Sequence, residues 1–362
     1  MKLAVITDTH VGARSGSSIF REYFRWWYDE HFFKPLAAQK VSTILHCGDF
    51  FDNRNAVTLQ DIDFVCKWFA GKLVEHDMRF YITLGNHDVA YKNTNKVHSL
   101  AMLAAAAPRN VVVIEEMTAI NFGTKPFVLV PWLNSENSEH ALQYLQTVSN
   151  PHDIVVAGHF EIAGAKHYAK SAPAEHGLSP DVFSKFKRVW SGHFHHKSTI
   201  GNVLYLGSAF HLNWQDHNDD RGYHIYDTEL DTMTFVENDH SLFVEIMYNR
   251  EILKPMTDAQ ALELFEGRFI RLIVDCDYSQ AELLEAIGKI NRAKPHDLQV
   301  INNMLVGTTA DDSDKEPVDV TQSTIDFINS YIANDPAFNT AEVKAKMNSL
   351  YTVAMNTMTK GE

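Results

Sequence analysis

Five times within its first 200 residues, this chain passes through a short apolar stretch and stops on a cluster of Gly, Asp, His or Asn. The stretches are Leu3–Thr7, Thr43–His46, Phe80–Leu84, Ile154–Ala157 and Val189–Ser191. The clusters are Asp8-Thr9-His10, Gly48-Asp49-Phe50-Phe51-Asp52, Gly85-Asn86-His87-Asp88, Gly158-His159 and Gly192-His193-Phe194-His195. Continuous apolar and β-branched runs are the pattern of strands buried on both faces. Sheets of such strands gather ligands beyond their carboxyl ends, where the loops project polar side chains. One repeated pattern thus constrains fold and function together.

Further strands are expected at Val111–Glu115, Phe127–Pro131, Val203–Leu206, Tyr223–Tyr226 and Thr234–Glu237. Helical periodicity predicts helices near 19–39, 59–77, 95–107 and 136–148, the second with Thr58 as N-cap. Early β/α alternation followed by closely spaced strands implies a layered α/β domain with mixed sheets. Phe24, Trp26, Trp27, Tyr28, Phe32 and Phe33 with Arg25 and His31 have the makings of a nucleic-acid platform. Core packing of an aromatic-rich helix is the simpler expectation.

Composition changes near residue 240, since 18 of the 19 histidines lie in residues 1–240. Histidine chemistry therefore belongs to the first part. Residues 241–306 read strand, helix, strand, helix, strand, a small α+β unit. Residues 307–317 are polar, acidic and turn-rich, as in a linker. In residues 318–362, Ile325, Ile328, Ile332, Val343, Met347, Leu350, Tyr351 and Met355 recur near helical spacing.

The formal net charge of −14 argues against a basic surface that alone grips nucleic acid. More than a third of it sits in residues 311–362, with 4 basic and 9 acidic residues, against 21 and 27 in residues 1–240. The charge therefore leaves DNA open as a ligand and points to weak binding without a partner. Three cysteines, Cys47, Cys66 and Cys276, are too few for a disulfide framework and suit a reducing compartment. Asp8 comes too early for a secretory leader, and the longest apolar run, Ala101–Ala107, falls short of the roughly 20 residues of a membrane span. A cytoplasmic protein without membrane contact is expected.

Mixed carboxylate, imidazole and amide donors suit divalent ions such as Mn, Fe or Zn better than an all-oxygen Ca²⁺ or Mg²⁺ cage. A single Asp-x-His arises by chance, and Gly-Asn-His-Asp alone suits a turn. Chance does not explain the ordered set.

In that order, the five clusters resemble the calcineurin-type metallophosphoesterases. The resemblance implies a layered α/β metallophosphoesterase domain, mixed β-sheets flanked by helices, over residues 1–240. It implies one metal held by Asp8, His10, Asp49 and His195, and another by Asp49, Asn86, His159 and His193. Two divalent ions about 3.5–4 Å apart acidify a bridging water and clamp the phosphate during in-line attack. His87 is then the general acid that assists the leaving oxygen.

Asp8-Thr9-His10-Val11-Gly12 further resembles the SbcD-type DNA-repair nucleases. The stretch Leu206–Trp214 with Asp220-Arg221-Gly222-Tyr223 looks closest to the tailed-phage recombination nuclease subunit. That layout implies a capping domain at 241–306, a linker at 307–317 and a two-helix tail at 318–362 that docks on an SbcC-like coiled-coil ATPase. It also implies Mn²⁺ as the expected ion, DNA ends as substrate and a homodimer through the helices after the second and third clusters. Many SbcD-type nucleases carry His where this chain has Asp52; in the phosphatase branch an Asp there orients the catalytic histidine. Asp52 is thus a second catalytic candidate, and Asp52→Asn is expected to slow chemistry while leaving metal binding intact. His46, His98, His196, His211 and His217 are expected as supporting or surface residues. The rival readings are another phosphoesterase, such as a phosphatase or cyclic-nucleotide diesterase, and a non-catalytic scaffold of a recombination complex. A degenerate scaffold should have lost some ligands, and here every one is present with His87.

Overall fold

Two six-stranded sheets lie face to face in the computed structural model, which describes residues 1–303 and residue 346. In the first sheet the order is Thr232–Glu237, Gly222–Asp227, Lys2–Ile6, Thr43–His46, Arg79–Thr83, Val111–Ile114. Its last four strands run parallel, Gly222–Asp227 pairs antiparallel with Lys2–Ile6, and Thr232–Glu237 pairs antiparallel with Gly222–Asp227 in turn. The second sheet runs Ser198–Ile200, Val203–Tyr205, Arg188–Gly192, Val155–His159, Lys125–Val130, Thr118–Phe122. Its four central strands are parallel and its two edges antiparallel.

Strand alternation builds three layers of core. From Lys2–Ile6, Leu3 and Val5 point between the sheets, while Ala4 and Ile6 point to the helices. Phe127, Leu129, Val155 and Ala157 meet them from the second sheet, whose other face presents Val128, Val130 and Val156 to a third cluster. Both faces are covered, which is why these strands read as unbroken apolar runs. All five polar clusters fall at the carboxyl ends of parallel strands.

The first helical run covers Ser18–Trp27, a π-helical stretch Tyr28–Phe33 and Lys34–Ala38. It buries Phe24, Trp27, Tyr28, Phe32 and Phe33, so this aromatic stretch is core, and only Trp26 among its large aromatics is exposed. Thr58 caps the next helix by accepting from the Asp61 amide. The helix expected at 95–107 shrinks to Ala101–Ala106. Thr94–His98 is instead a strand paired with Val89–Tyr91, because the Asn95 side chain bonds to the Trp132 carbonyl and to Asn134 in a neighbouring loop.

The region expected as a capping unit forms a three-stranded sheet, Phe243–Met247, Phe269–Val274 and Asp297–Asn302, with helices Asp258–Phe265 and Gln280–Arg292. It has its own core around Phe265, Ile270, Leu272, Val274 and Ile290. Leu242 and Phe243 nevertheless join the core of the first sheet's helical face. The chain divides after Ile301, and the second unit, Asn302–Glu362, falls almost wholly outside the described residues. The expected linker at 307–317 and tail at 318–362 lie there. Among the described residues no helix is long and apolar enough to cross a membrane.

Candidate metal centre

Backbone hydrogen bonds stitch the five clusters together. The amides of Thr9 and His10 donate to the Asp49 carbonyl at 3.1 and 3.2 Å, and Val11 donates to Phe50 at 2.7 Å. His87 donates its amide to Asp49 Oδ1 at 2.8 Å, joining the third cluster to the second. His193 donates its amide to both Asp8 carboxylate oxygens at 3.1 Å, joining the fifth to the first. His159 Nδ1 bonds the Cys47 carbonyl at 2.8 Å, joining the fourth to the second. Four of these residues, Asp8, His10, Asp49 and His193, have left-handed backbone with φ of 50, 47, 56 and 88°. Such conformers cost about 1–3 kcal/mol each and persist only where surrounding contacts fix them. A Cβ on Gly85 would strike the Asp49 amide and carboxylate, so the third cluster requires glycine there.

The side chains so placed form adjoining sets. Asp8, His10 and His195 offer ligand atoms within 4.8 Å of one another, as do Asp49, His159 and His193, and also His10, Asp49 and His87. His10 Nε2 and His195 Nε2 are 3.0 Å apart. Asn86 Oδ1 lies 3.0 Å from both His159 Nε2 and His193 Nδ1. All seven ligand candidates are thus brought to one place, and His10, Asp49, Asn86, His87, His193 and His195 line an open cleft of about 500 Å³.

These residues fit divalent cations, as the donor arrangement shows. With His159 Nδ1 facing a carbonyl, its Nε2 points at two oxygens, Asn86 Oδ1 at 3.0 Å and Asp49 Oδ2 at 3.2 Å. Unprotonated, that nitrogen and both oxygens are all electron-pair donors, and only positive charge reconciles them. Burial pushes the His159 pKa down, yet the Asp49 and Asp8 carboxylates outweigh it and raise it to about 9. Burial raises the Asp49 carboxyl, but the His159, His10 and His87 imidazoles hold it below the ordinary range. Burial and neighbouring His159 push His193 down to about 3, and burial with His10 and Arg221 holds His195 well below its usual value. Neutral imidazoles present the lone pairs that metal ligation needs. His10 Nδ1 and His195 Nδ1 are also buried without a hydrogen-bond partner.

Asp52 differs from expectation. His87 Nδ1 bonds the backbone carbonyl of Asp52 at 2.5 Å and not its carboxylate. The carboxylate lies instead 3.3 Å from His10 Nδ1, a charge contact without hydrogen-bond alignment. The reason lies in the chain path: the Asp52 amide pairs with Val11 at 2.9 Å, which sets residue 52 beside the first cluster.

Two supports escaped sequence reading. Asp88, the last residue of the third cluster, is buried and accepts the amides of Asp49, Phe50, Phe51 and Gly85 at 2.9–3.1 Å. Arg221, fully buried, donates to the His195 carbonyl at 2.7 Å, to Asp216 at 2.7 Å and to Asp219 at 2.9 Å. Asp219 also pairs with His196 at 2.9 Å, so that histidine braces the loop behind His195. His46 is buried, 3.0 Å from the Thr9 hydroxyl. A run of acidic residues around one Arg was the visible signal, since buried Arg is rarely found unpaired.

Two packed mixed sheets with carboxylate, imidazole and amide side chains gathered at their common carboxyl edge have the layout of a metallophosphoesterase. Residues 1–197 match the family described as calcineurin-like phosphoesterase, and the chain belongs to that family. It is similar to exonuclease subunit 1 of Enterobacteria phage T4, with 28% identity over 335 residues, 91% of this chain and 93% of that protein. Among solved structures, it is similar to a dimetal phosphatase from Danio rerio at 12% identity, covering 62% of this chain and 91% of that one, with a TM-score of 0.40. The Pseudomonas putida nuclease MPE is similar at 15% identity, covering 64% and 87%, with a TM-score of 0.30.

Proposed function

We propose that this chain is a metal-dependent DNA nuclease subunit, with exonuclease or endonuclease activity, that hydrolyses phosphodiesters at DNA ends in recombination and double-strand-break repair. The carrying observation is the cleft itself, which His87 lines with five of the seven ligand candidates, His10, Asp49, Asn86, His193 and His195, while Asp8 and His159 adjoin them from beneath. The choice of a nucleic-acid strand among phosphoesters is supported by similarity to the phage exonuclease subunit that spans 91% of this chain, well past the phosphoesterase match at 1–197.

Asp8, His10, Asp49 and His195 would hold one divalent ion, Mn²⁺ in this reading, and Asp49, Asn86, His159 and His193 the other. When bound, such ions supply Lewis acidity, making water a nucleophile near neutral pH and neutralising phosphate charge. The chain does the rest. Asp49 faces both sets, its backbone and carboxylate fixed by Asp88 and His87. His87, its Nδ1–H donating to the Asp52 carbonyl, would in its doubly protonated form give the Nε2 proton to the leaving oxygen. Asp52 steadies His10 by its charge.

An SbcC-like coiled-coil ATPase completes this reading, with the tail at 318–362 as its docking segment and a homodimer of this chain as the working form. The net charge of −14 supports a need for such a partner in holding DNA. The test compares linear DNA with phosphomonoesters, cyclic nucleotides and a small phosphodiester, in Mn²⁺ or Mg²⁺, with and without the ATPase. Cleavage of DNA, promoted by Mn²⁺ and increased by the ATPase, is expected. A preference for monoesters or cyclic nucleotides would favour the other phosphoesterase reading.

A further inference from the structure

We propose that Arg14 is a substrate-positioning residue that holds a phosphate next to the scissile one in a nucleic-acid strand. This inference rests on the nuclease reading above and deepens it. Arg14 lines the same cleft as His10, Asp49 and His87, and it is the only Lys or Arg among the described residues that do so. The neighbouring charges in that wall, Asp49 and Asp52, are negative. A polymer brings several phosphates into the cleft, and the ligand sets can engage only one of them. A flanking phosphate would meet repulsion from the acidic wall unless a fixed cation received it.

The guanidinium is built for that task. Its Nε donates to the Leu212 carbonyl at 3.1 Å, and its Cζ lies 5.7 Å from the centre of the Phe243 ring. Those two contacts fix the head, and its terminal nitrogens have no partner among the described residues. A held arginine with a free edge presents paired N–H donors in the spacing of phosphate oxygens. The supporting loop is itself secured, with Gly16 donating to Gly12 at 2.8 Å and Arg21 donating to the Gly16 carbonyl at 2.6 Å. Phe243 begins the small α+β sheet, so the head of Arg14 bridges the metal cleft and that region. The cleft volume of about 500 Å³ leaves room for more than one phosphate group.

The test uses the full chain with Mn²⁺ and two substrates, bis(p-nitrophenyl) phosphate and a short single-stranded DNA oligonucleotide. Arg14→Gln is expected to raise KM for the oligonucleotide about tenfold with kcat nearly unchanged, and Arg14→Lys to restore part of it. The effect is expected to be confined to the polymer, which alone carries a flanking phosphate. A single neutral methylphosphonate linkage, moved along the oligonucleotide, should at one position next to the cut abolish the difference between wild type and Arg14→Gln. Equal losses on both substrates would overturn the proposal in favour of a structural role. So would a difference that survives every neutral linkage, or an oligonucleotide KM that Arg14→Gln leaves unchanged where the wild type cuts. A wild type that hydrolyses the small diester but leaves the oligonucleotide intact would overturn the nuclease reading, and this proposal with it.

Discussion

His10 and His87 draw on different parts of Asp52, one on its carboxylate and the other on its carbonyl. Asp52→Asn keeps the carbonyl, so His87 stays in place while His10 loses a neighbouring negative charge. The expected outcome is an Mn²⁺ affinity about tenfold weaker, with the rate at saturating Mn²⁺ little changed. Activity measured across an Mn²⁺ titration checks this, and it reverses the expectation drawn from the motif alone. A loss of rate at saturating metal would return the carboxylate to His87. Asp88 has a structural task, since one buried carboxylate satisfies four amides. Asp88→Asn retains one acceptor oxygen and turns an NH₂ toward those amides, so stability in urea should fall by about 2–4 kcal/mol. The ligand candidates were legible because each sits in a compact motif at a strand end. The Cys47 carbonyl that orients His159 was not, because backbone atoms leave no mark in residue identity.

Strands buried on both faces were the most legible elements, and Thr43–His46 is an example. Polar edges were not: Thr118–Phe122 and Ser198–Ile200 are short and half-exposed, and lack the apolar run that marks their neighbours. The Thr94–His98 strand was hidden because hydrogen bonds between Asn95 and a distant loop, to the Trp132 carbonyl and from Asn134, decide it. One strand carries a pH dependence. In Gly222–Asp227, burial and then Lys197 push His224 from 6.5 down to about 4. The unfolded chain takes up this proton near the ordinary value and the folded chain only near 4, so stability is complete above that ordinary value and is lost as pH falls toward 4. His224→Gln should flatten the acid side of the stability profile by up to about 3 kcal/mol, read from denaturation midpoints between neutral and acid pH.

At the scale of the whole molecule, the acidity and the DNA reading are compatible. A chain of net charge −14 with Arg14 as the one Lys or Arg of its described cleft lining has little to hold a duplex by itself. It should bind DNA weakly at physiological salt, and strong binding in a filter or anisotropy assay without the partner would contradict this. Removing residues 318–362 should abolish association with a coiled-coil ATPase while leaving Mn²⁺-dependent hydrolysis of a small phosphodiester; loss of both together would count against a separate docking segment. The central claim, that this cleft cuts DNA with bound metal and His87, is tested most directly by release of nucleotides from linear DNA. The purified chain and its His87→Ala variant are compared in Mn²⁺ and in EDTA. The expected result is Mn²⁺-dependent release that EDTA stops and that His87→Ala lowers about a hundredfold. DNA left intact by a chain that hydrolyses other phosphoesters, or equal release by the variant, would contradict it.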